Sequence, residues 1–146
     1  CVVMDFGARA HGYCSDMTRT VFVGQPDARI RAAYETLREA NEQVEAAIRP
    51  GVTGAQMHQM AEDALAAGGF AGKMGHGLGH GVGIDIHEAP VLSPRNKEPL
   101  APGNVVTVEP GIYLEGDFGM RLEDFGVVTE MGFQVFTQST HDMVII

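Results

Sequence analysis

Alternating apolar and polar positions predict a β-hairpin at the start of the chain. Residues 2–6 (VVMDF) and 13–23 (YCSDMTRTVFV) are rich in Val, Phe, Tyr and Thr, and Gly7 and Gly12 interrupt the chain between them. The β-branched and aromatic side chains favour strands, and the glycines favour the turn.

Two longer apolar runs predict strands in the last third of the sequence. The segments NVVTVEPGIYL (104–114) and MRLEDFGVVTE (120–130) flank a turn at residues 115–117. QVFT (134–137) predicts a final short strand, and the sequence ends in the apolar run MVII (143–146). This part of the chain is therefore expected to be mainly β-structure.

Between these regions the apolar positions recur at every third and fourth residue, which predicts two amphipathic helices. The first covers residues 28–48 with Asp27 as its N-cap, and the second begins at Thr53, forms a capping box with Gln56 and ends at Gly68. Residues 72–102 are rich in Gly and Pro and are expected to form a long functional loop. The layout predicts an α+β fold in one domain, residues 1–146.

Charge and cysteine content narrow the possible partners. The chain of 146 residues has 10 basic and 19 acidic side chains, a net charge of −9, which disfavours binding to nucleic acid or to an anionic membrane. No signal peptide or membrane span is recognisable, and two isolated cysteines suit a reducing cytoplasm. The sequence opens directly in a strand-like run, so a fragment of a longer protein is expected.

Carboxylates occupy matching positions in both predicted hairpins. A first turn centred between Ala10 and His11 places Asp5 opposite Asp16. Carboxylates opposite each other on one face repel unless a cation lies between them, so the pair indicates a metal site. If the turn is offset, or if the acids point to solvent, the pair has no such meaning.

The second hairpin repeats this arrangement. A turn centred on Gly116 places Glu109 opposite Glu123. Pro110 interrupts the ladder directly after Glu109, because proline has no backbone N–H to donate.

Three histidines lie in the glycine-rich run HGLGHGVGIDIHE, at His76, His80 and His87. Glycines allow close backbone approach to a ligand, and neutral imidazole is a common metal donor. The spacing is not HExxH, and there are no cysteine ligands, so a set of carboxylates with one or two imidazoles favours Mn²⁺, with Co²⁺, Fe²⁺ or Zn²⁺ as alternatives. The isolated histidines His11, His58 and His141 are expected to be ordinary core or surface residues.

Four segments, DFGARAHGYCSDMTRT, HGLGHGVGIDIHE, VEPGIY and RLED, resemble in order and spacing those of the pita-bread metallopeptidases, which include methionine aminopeptidase, aminopeptidase P and prolidase. The resemblance covers essentially the whole chain and implies the pita-bread (creatinase/aminopeptidase-like) fold. It also implies two divalent metal ions with a bridging hydroxide, held by five ligands: Asp5, Asp16, His80, Glu109 and Glu123.

Details of these segments resemble the aminopeptidase P and prolidase branch, namely His76, the TRT sequence at 18–20 and Arg121. The branch implies cleavage of a peptide whose second residue is proline, and a homodimer for the full-length protein. Glu109 is then the proton carrier, His87 and His76 donate hydrogen bonds to the substrate, and Arg121 binds substrate or positions ligands. Preference for dipeptides or longer peptides stays open.

The resemblance also implies a helical segment ahead of the first ligand strand, so the chain is expected to be the carboxyl-terminal part of a catalytic domain. A non-catalytic binding module on the same fold is the alternative function, because fold alone does not fix activity. The complete ligand set favours the enzyme.

Overall fold

Two packed helices form one layer of the molecule. The structure is a computed structural model that describes all 146 residues. Helix α1 spans Ala28–Ala47, where Asp27 accepts a 2.8 Å hydrogen bond from the Ile30 N–H, and α2 spans Gly54–Ala67. Thr53 and Gln56 form the predicted capping box. Both helices are confirmed, and no helix in the structure is long and apolar enough to cross a membrane.

Short strands make up the rest of the fold. They are β1 Val2–Phe6, β2 Arg9–Ala10, β3 Tyr13–Cys14, β4 Met17–Phe22, β5 Gly79–Gly81, β6 Glu88–Leu92, β7 Val105–Val108, β8 Gly111–Leu114, β9 Phe118–Arg121, β10 Asp124–Thr129, β11 Gly132–Val135 and β12 Val144–Ile145. A five-stranded sheet has the order β11-β10-β7-β5-β6, a three-stranded sheet has the order β1-β4-β12, and β2-β3 and β8-β9 are two-stranded ribbons. The core is formed mainly by the buried faces of α1 and α2 and by side chains of the sheets.

The first hairpin forms, but its predicted register is wrong by two residues. Asp5 lies opposite Thr18, not opposite Asp16. The turn residues are His11 and Gly12, which both have positive φ (52° and 89°), so the turn is centred one position later than predicted. Because a shift of two residues preserves the face of each side chain, Asp5 and Asp16 are diagonal neighbours on one face.

The predicted loop 72–102 contains two strands, β5 and β6, of the five-stranded sheet. The sequence pattern did not predict β5, because two of its three residues are glycines. Glycine is needed there, since a Cβ on Gly79 would lie 2.1 Å from the carbonyl oxygen of Thr107. The close approach of the backbones brings β5 against β7.

The second hairpin has the predicted register. Gly111 pairs with Arg121 in the β8-β9 ribbon, and Val108 pairs with Asp124 between β7 and β10. Each of the two predicted long strands is broken between these ladders. The first is broken at Glu109 and Pro110, and the second at Leu122 and Glu123. Glu109 and Glu123 occupy the break at matching positions, as the sequence predicted.

Candidate metal centre

His80 lies close to two carboxylates, those of Glu109 and Asp16. Its Nε2 atom is 3.3 Å from Oε1 of Glu109 and 3.6 Å from Oδ2 of Asp16. The three side chains come from β5, from the segment after β7 and from the segment before β4. Residues distant in the sequence are therefore brought to one point.

Glu123 completes this group from the opposite side. One potential ligand atom of each of Asp16, His80 and Glu123 lies within 4.8 Å of the others. Glu123 is 2% exposed and accepts a 2.6 Å hydrogen bond from the hydroxyl of Thr18. Thr18 of β4 pairs with Asp5 of β1 on one side and forms an isolated β-bridge with Glu123, which lies between β9 and β10, on the other, so the backbone pairing places the three residues in a row.

The acids in this group lie close together and are partly or fully buried, which shifts the pKa values of the group. Burial, reinforced by the charge of Glu109, raises the pKa of Glu123 to about 8. Burial also raises the pKa of Asp16, with a contribution from Asp5. Burial opposes protonation of His80, but hydrogen bonds to Glu109 and to the carbonyl of Gly81, together with the charges of Glu109 and Asp16, outweigh it, so the pKa of His80 is raised. The raised pKa values mean that these side chains tend to bind protons, and bound divalent cations would take the place of those protons. A set of carboxylates with one imidazole is suited to such ions.

Asp5, the remaining predicted ligand, forms an ion pair with Arg121. Its carboxylate is 53% exposed, far more than the side chains of the other four predicted ligands. Arg121 also donates hydrogen bonds to Thr18 Oγ1 (3.2 Å) and to the hydroxyl of Tyr113 (3.0 Å). These contacts fit a residue that positions ligands.

Thr107 connects two predicted ligands. Its hydroxyl accepts a 3.0 Å hydrogen bond from the backbone N–H of His80 and donates a 3.2 Å hydrogen bond to Oε1 of Glu109. Thr107 is fully buried. A single hydroxyl therefore fixes His80 relative to Glu109.

The other two histidines of the glycine-rich run flank this group. The exposed ring of His87 packs edge-on against His80, with 4.2 Å between ring centroids. Nε2 of His76 lies 3.2 Å from the hydroxyl of Tyr113. His87 is therefore adjacent to a candidate metal ligand, and His76 is adjacent to a residue that contacts Arg121.

Comparison with known proteins identifies the family. Residues 1–130 match metallopeptidase family M24. The chain belongs to this family. The M24 chain is 45% identical over 145 residues to the uncharacterized peptidase YqhT of Bacillus subtilis (99% of this chain and 41% of that protein) and 40% identical over 145 residues to a Xaa-Pro dipeptidase of Lactobacillus helveticus (99% and 39%). It thus spans about two fifths of the length of these relatives.

Solved structures give the same relationship. The M24 chain superimposes on a Xaa-Pro dipeptidase from Bacillus anthracis with a TM-score of 0.96 and 42% identity, covering 99% of this chain and 41% of that one. For a His350Ala variant of Escherichia coli aminopeptidase P the TM-score is 0.81 at 28% identity, covering 91% and 37%. These neighbours confirm the predicted pita-bread α+β fold.

Three residues of the M24 chain that contact the predicted ligands or Arg121 were not assigned site roles from the sequence: Thr18, Thr107 and Tyr113. Thr18 lies in TRT and Tyr113 in VEPGIY, so the motifs contained them, but nothing in the local pattern indicates which side chain each hydroxyl contacts.

A second buried charged cluster lies behind Glu123. Arg19 donates to Oδ1 of Asp124 (2.6 Å) and to the carbonyl of Glu123 (2.7 Å), while His141 contacts Oδ2 of Asp124 (2.6 Å). Glu45 approaches the same cluster, and its Oε1 atom is buried without a hydrogen-bond partner. The cluster joins α1, β4, β10 and the end of the chain.

Proposed function

We propose that this chain carries the metal centre of an exopeptidase that hydrolyses the bond between an N-terminal residue and a following proline. The observation that supports this most strongly is the meeting of Asp16, His80, Glu109 and Glu123 in one buried volume. Relatives described as Xaa-Pro dipeptidases support the specificity for proline.

Two divalent ions are proposed to bind here, with Mn²⁺ as the expected metal. Asp5 would hold one ion, His80 and Glu109 the other, and Asp16 and Glu123 both. Such ions, when bound, lower the pKa of the water between them and supply a hydroxide at neutral pH. Binding would require Asp5 to exchange part of its contact with Arg121.

The protein side chains have separate roles in the proposed reaction. Glu109 would accept the proton of the attacking hydroxide and transfer it to the nitrogen of the proline as the peptide bond breaks. His87 donates a hydrogen bond to the carbonyl oxygen as negative charge develops on it, and His76 donates one to the substrate backbone. Arg121 holds Asp5 and Thr18 in place through its hydrogen bonds.

Counting metal ions tests the proposal. The chain loaded with Mn²⁺ should contain two ions by elemental analysis but should show little hydrolysis of a Xaa-Pro peptide by itself, whereas His80→Ala should lose one ion and, in the full-length protein, most of the activity. His11→Asn is the matched control, because His11 lies in an exposed turn with positive φ that Asn tolerates. Two ions at full occupancy in His80→Ala would refute the ligand assignment. Binding of two ions by a full-length protein that does not hydrolyse the peptide would favour the non-catalytic binding module.

The two free cysteines, Cys1 and Cys14, support a proposed location in a reducing compartment such as the cytoplasm.

A further inference from the structure

His141 lies in the segment between β11 and β12 and contacts two carboxylates. Its Nε2 atom is 2.6 Å from Oδ2 of Asp124, and its Nδ1 atom is 3.2 Å from Oε1 of Glu42. Because an ionised carboxylate only accepts hydrogen bonds, both ring nitrogens donate, which makes the imidazole a cation. The hydrogen bond to Asp124 accordingly raises the pKa of His141. His141 therefore brings a positive charge to a strand that precedes it by 17 residues.

Asp124 connects His141 to Arg19. Its carboxylate is completely buried, and Oδ1 accepts a 2.6 Å hydrogen bond from Nη2 of Arg19. Burial opposes ionisation of Asp124, but the hydrogen bonds from His141 and Arg19 outweigh it, so the pKa of Asp124 is lowered. A buried carboxylate that loses one of its partners is strongly disfavoured. The position of Asp124 thus depends on both cations.

The guanidinium of Arg19 uses all five of its N–H groups. Nη1 donates to the carbonyl oxygens of Thr18 (2.9 Å) and Glu123 (2.7 Å). The other three donors bind Asp124 and the carbonyl oxygens of residues 139 and 140. Because the guanidinium is planar and rigid, these partners are held in one arrangement.

The two carbonyls bound by Nη1 belong to the isolated β-bridge between Thr18 and Glu123. The backbone N–H of Glu123 donates to the carbonyl of Thr18 (3.0 Å), and the hydroxyl of Thr18 donates to the carboxylate of Glu123 (2.6 Å). Arg19 therefore fixes the main chain of both residues in this pair. A displacement of its guanidinium would move a predicted metal ligand.

We propose that His141 is a positioning residue of the candidate metal centre. Through Asp124 it holds Arg19 in place, and Arg19 in turn fixes the main chain at Glu123. This role rests on the proposed function only in taking Glu123 as a metal ligand. It gives the segment at residues 139–141, which contributes no predicted ligand, a part in forming the centre.

Amide hydrogen exchange in the metal-free chain tests this connection without metal or activity. The N–H of Glu123 donates to the carbonyl of Thr18, so its exchange rate reports on the β-bridge. We expect His141→Ala to accelerate exchange at Glu123 about tenfold while the amides of α2 keep their rates, because the opening is local. His141→Lys retains a positively charged donor and should restore the protection.

Calorimetric titration of the same variants with Mn²⁺ extends the test to the metal centre. His141→Ala should bind Mn²⁺ about tenfold more weakly than the parent chain, at the lower end of the range for groups that orient metal ligands. His141→Lys should bind it nearly as tightly as the parent. His58→Ala is the matched control, since it also removes a largely buried imidazole but lies on α2, outside this network.

The positioning role would be overturned by equal Mn²⁺ affinity in the parent and in His141→Ala. It would also be overturned by a loss in His58→Ala or in His141→Lys as large as that in His141→Ala, or by unchanged exchange at Glu123. Absence of Mn²⁺ binding by the parent chain would refute the proposed metal centre itself, and the role of His141 with it, so the two failures are distinguishable.

Discussion

Thr18 donates a 2.6 Å hydrogen bond from its hydroxyl to Oε2 of Glu123, and both residues are almost completely buried. The same oxygen of Thr18 accepts a hydrogen bond from Arg121. The hydroxyl therefore links the most enclosed acid of the candidate metal centre to the arginine that holds Asp5. Removal of this one hydroxyl would disturb two predicted ligands at once.

Thr18→Val keeps the shape of the side chain but removes its hydroxyl. We expect it to lower the free energy of unfolding by about 1–3 kcal/mol, because buried polar atoms lose their partner. Mn²⁺ affinity, measured by calorimetry, should fall about 10–100-fold, as for other residues that orient metal ligands. Thr18→Ser retains the hydroxyl and should restore most of the affinity. Equal affinity in the Val and Ser variants would contradict this role.

The raised pKa of Glu123 makes the stability of the metal-free protein depend on pH. Between its ordinary pKa of 4.5 and its folded-state pKa of about 8, the folded state binds more protons at Glu123 than the unfolded state. The free energy of unfolding should therefore decrease as pH rises through this range. Mn²⁺ binds the ionised acids, so its stabilising effect should grow as pH rises.

Thermal melting from pH 5 to 8.5, with and without Mn²⁺, measures this effect. Glu123→Gln should flatten the pH dependence of the metal-free protein and abolish most of the stabilisation by Mn²⁺. Melting of the parent chain unmoved by millimolar Mn²⁺ at neutral pH would count against a metal centre formed by these residues.

Glu45 is expected to add a pH dependence that metal does not affect. Burial, reinforced by the charge of Asp124, raises the pKa of Glu45 to about 7. The neutral form is thus favoured in the folded state, and the associated stability is lost as pH rises from 4.5 through about 7. Glu45→Gln mimics the neutral form, so it should stabilise the protein at pH 8 and change little at pH 5. Urea denaturation at both pH values checks this, and a larger gain at pH 5 would contradict it.

Arg19→Met should be among the most destabilising single substitutions. Arg19 is buried and its guanidinium bonds Asp124 and the carbonyls of Thr18, Glu123, Ser139 and Thr140. Loss of one partner of a buried ion pair typically costs about 3–5 kcal/mol. Arg29→Met, which breaks the exposed pair with Asp117, should cost much less. Urea denaturation compares the two, and equal effects would show that the buried network contributes little.

His87→Ala tests the proposed hydrogen bond to the developing negative charge. Loss of such a donor lowers kcat by about 10²–10³, while both ions should remain bound because His87 is not among the predicted ligands. Kinetics with a Xaa-Pro peptide are measured together with metal content. An unchanged kcat/KM would reject this role for His87.

The sequence determined the elements that depend on local periodicity. Helix α1, the capping box of Thr53 with Gln56 and the strand character of both hairpins follow from patterns a few residues long. The register of Glu109 and Glu123 was predictable because Gly116, with its positive φ, fixes the centre of that turn. The five ligands were implied by motifs and are still a prediction.

The tertiary structure decided which side chains contact each other across the sheets. In the first hairpin the turn formed at His11 and Gly12, so Asp5 lies opposite Thr18 rather than Asp16. Strand β5 could not be predicted, because its glycines give no alternation of apolar and polar positions. The same glycines allow the close approach of β5 to β7 that positions His80.

Contacts between segments about a hundred residues apart, such as those of Arg121 with Asp5 and of Thr18 with Glu123, depend on how the sheets dock. A local sequence pattern determines which face of a strand is buried, but not which residue of a distant strand meets that face.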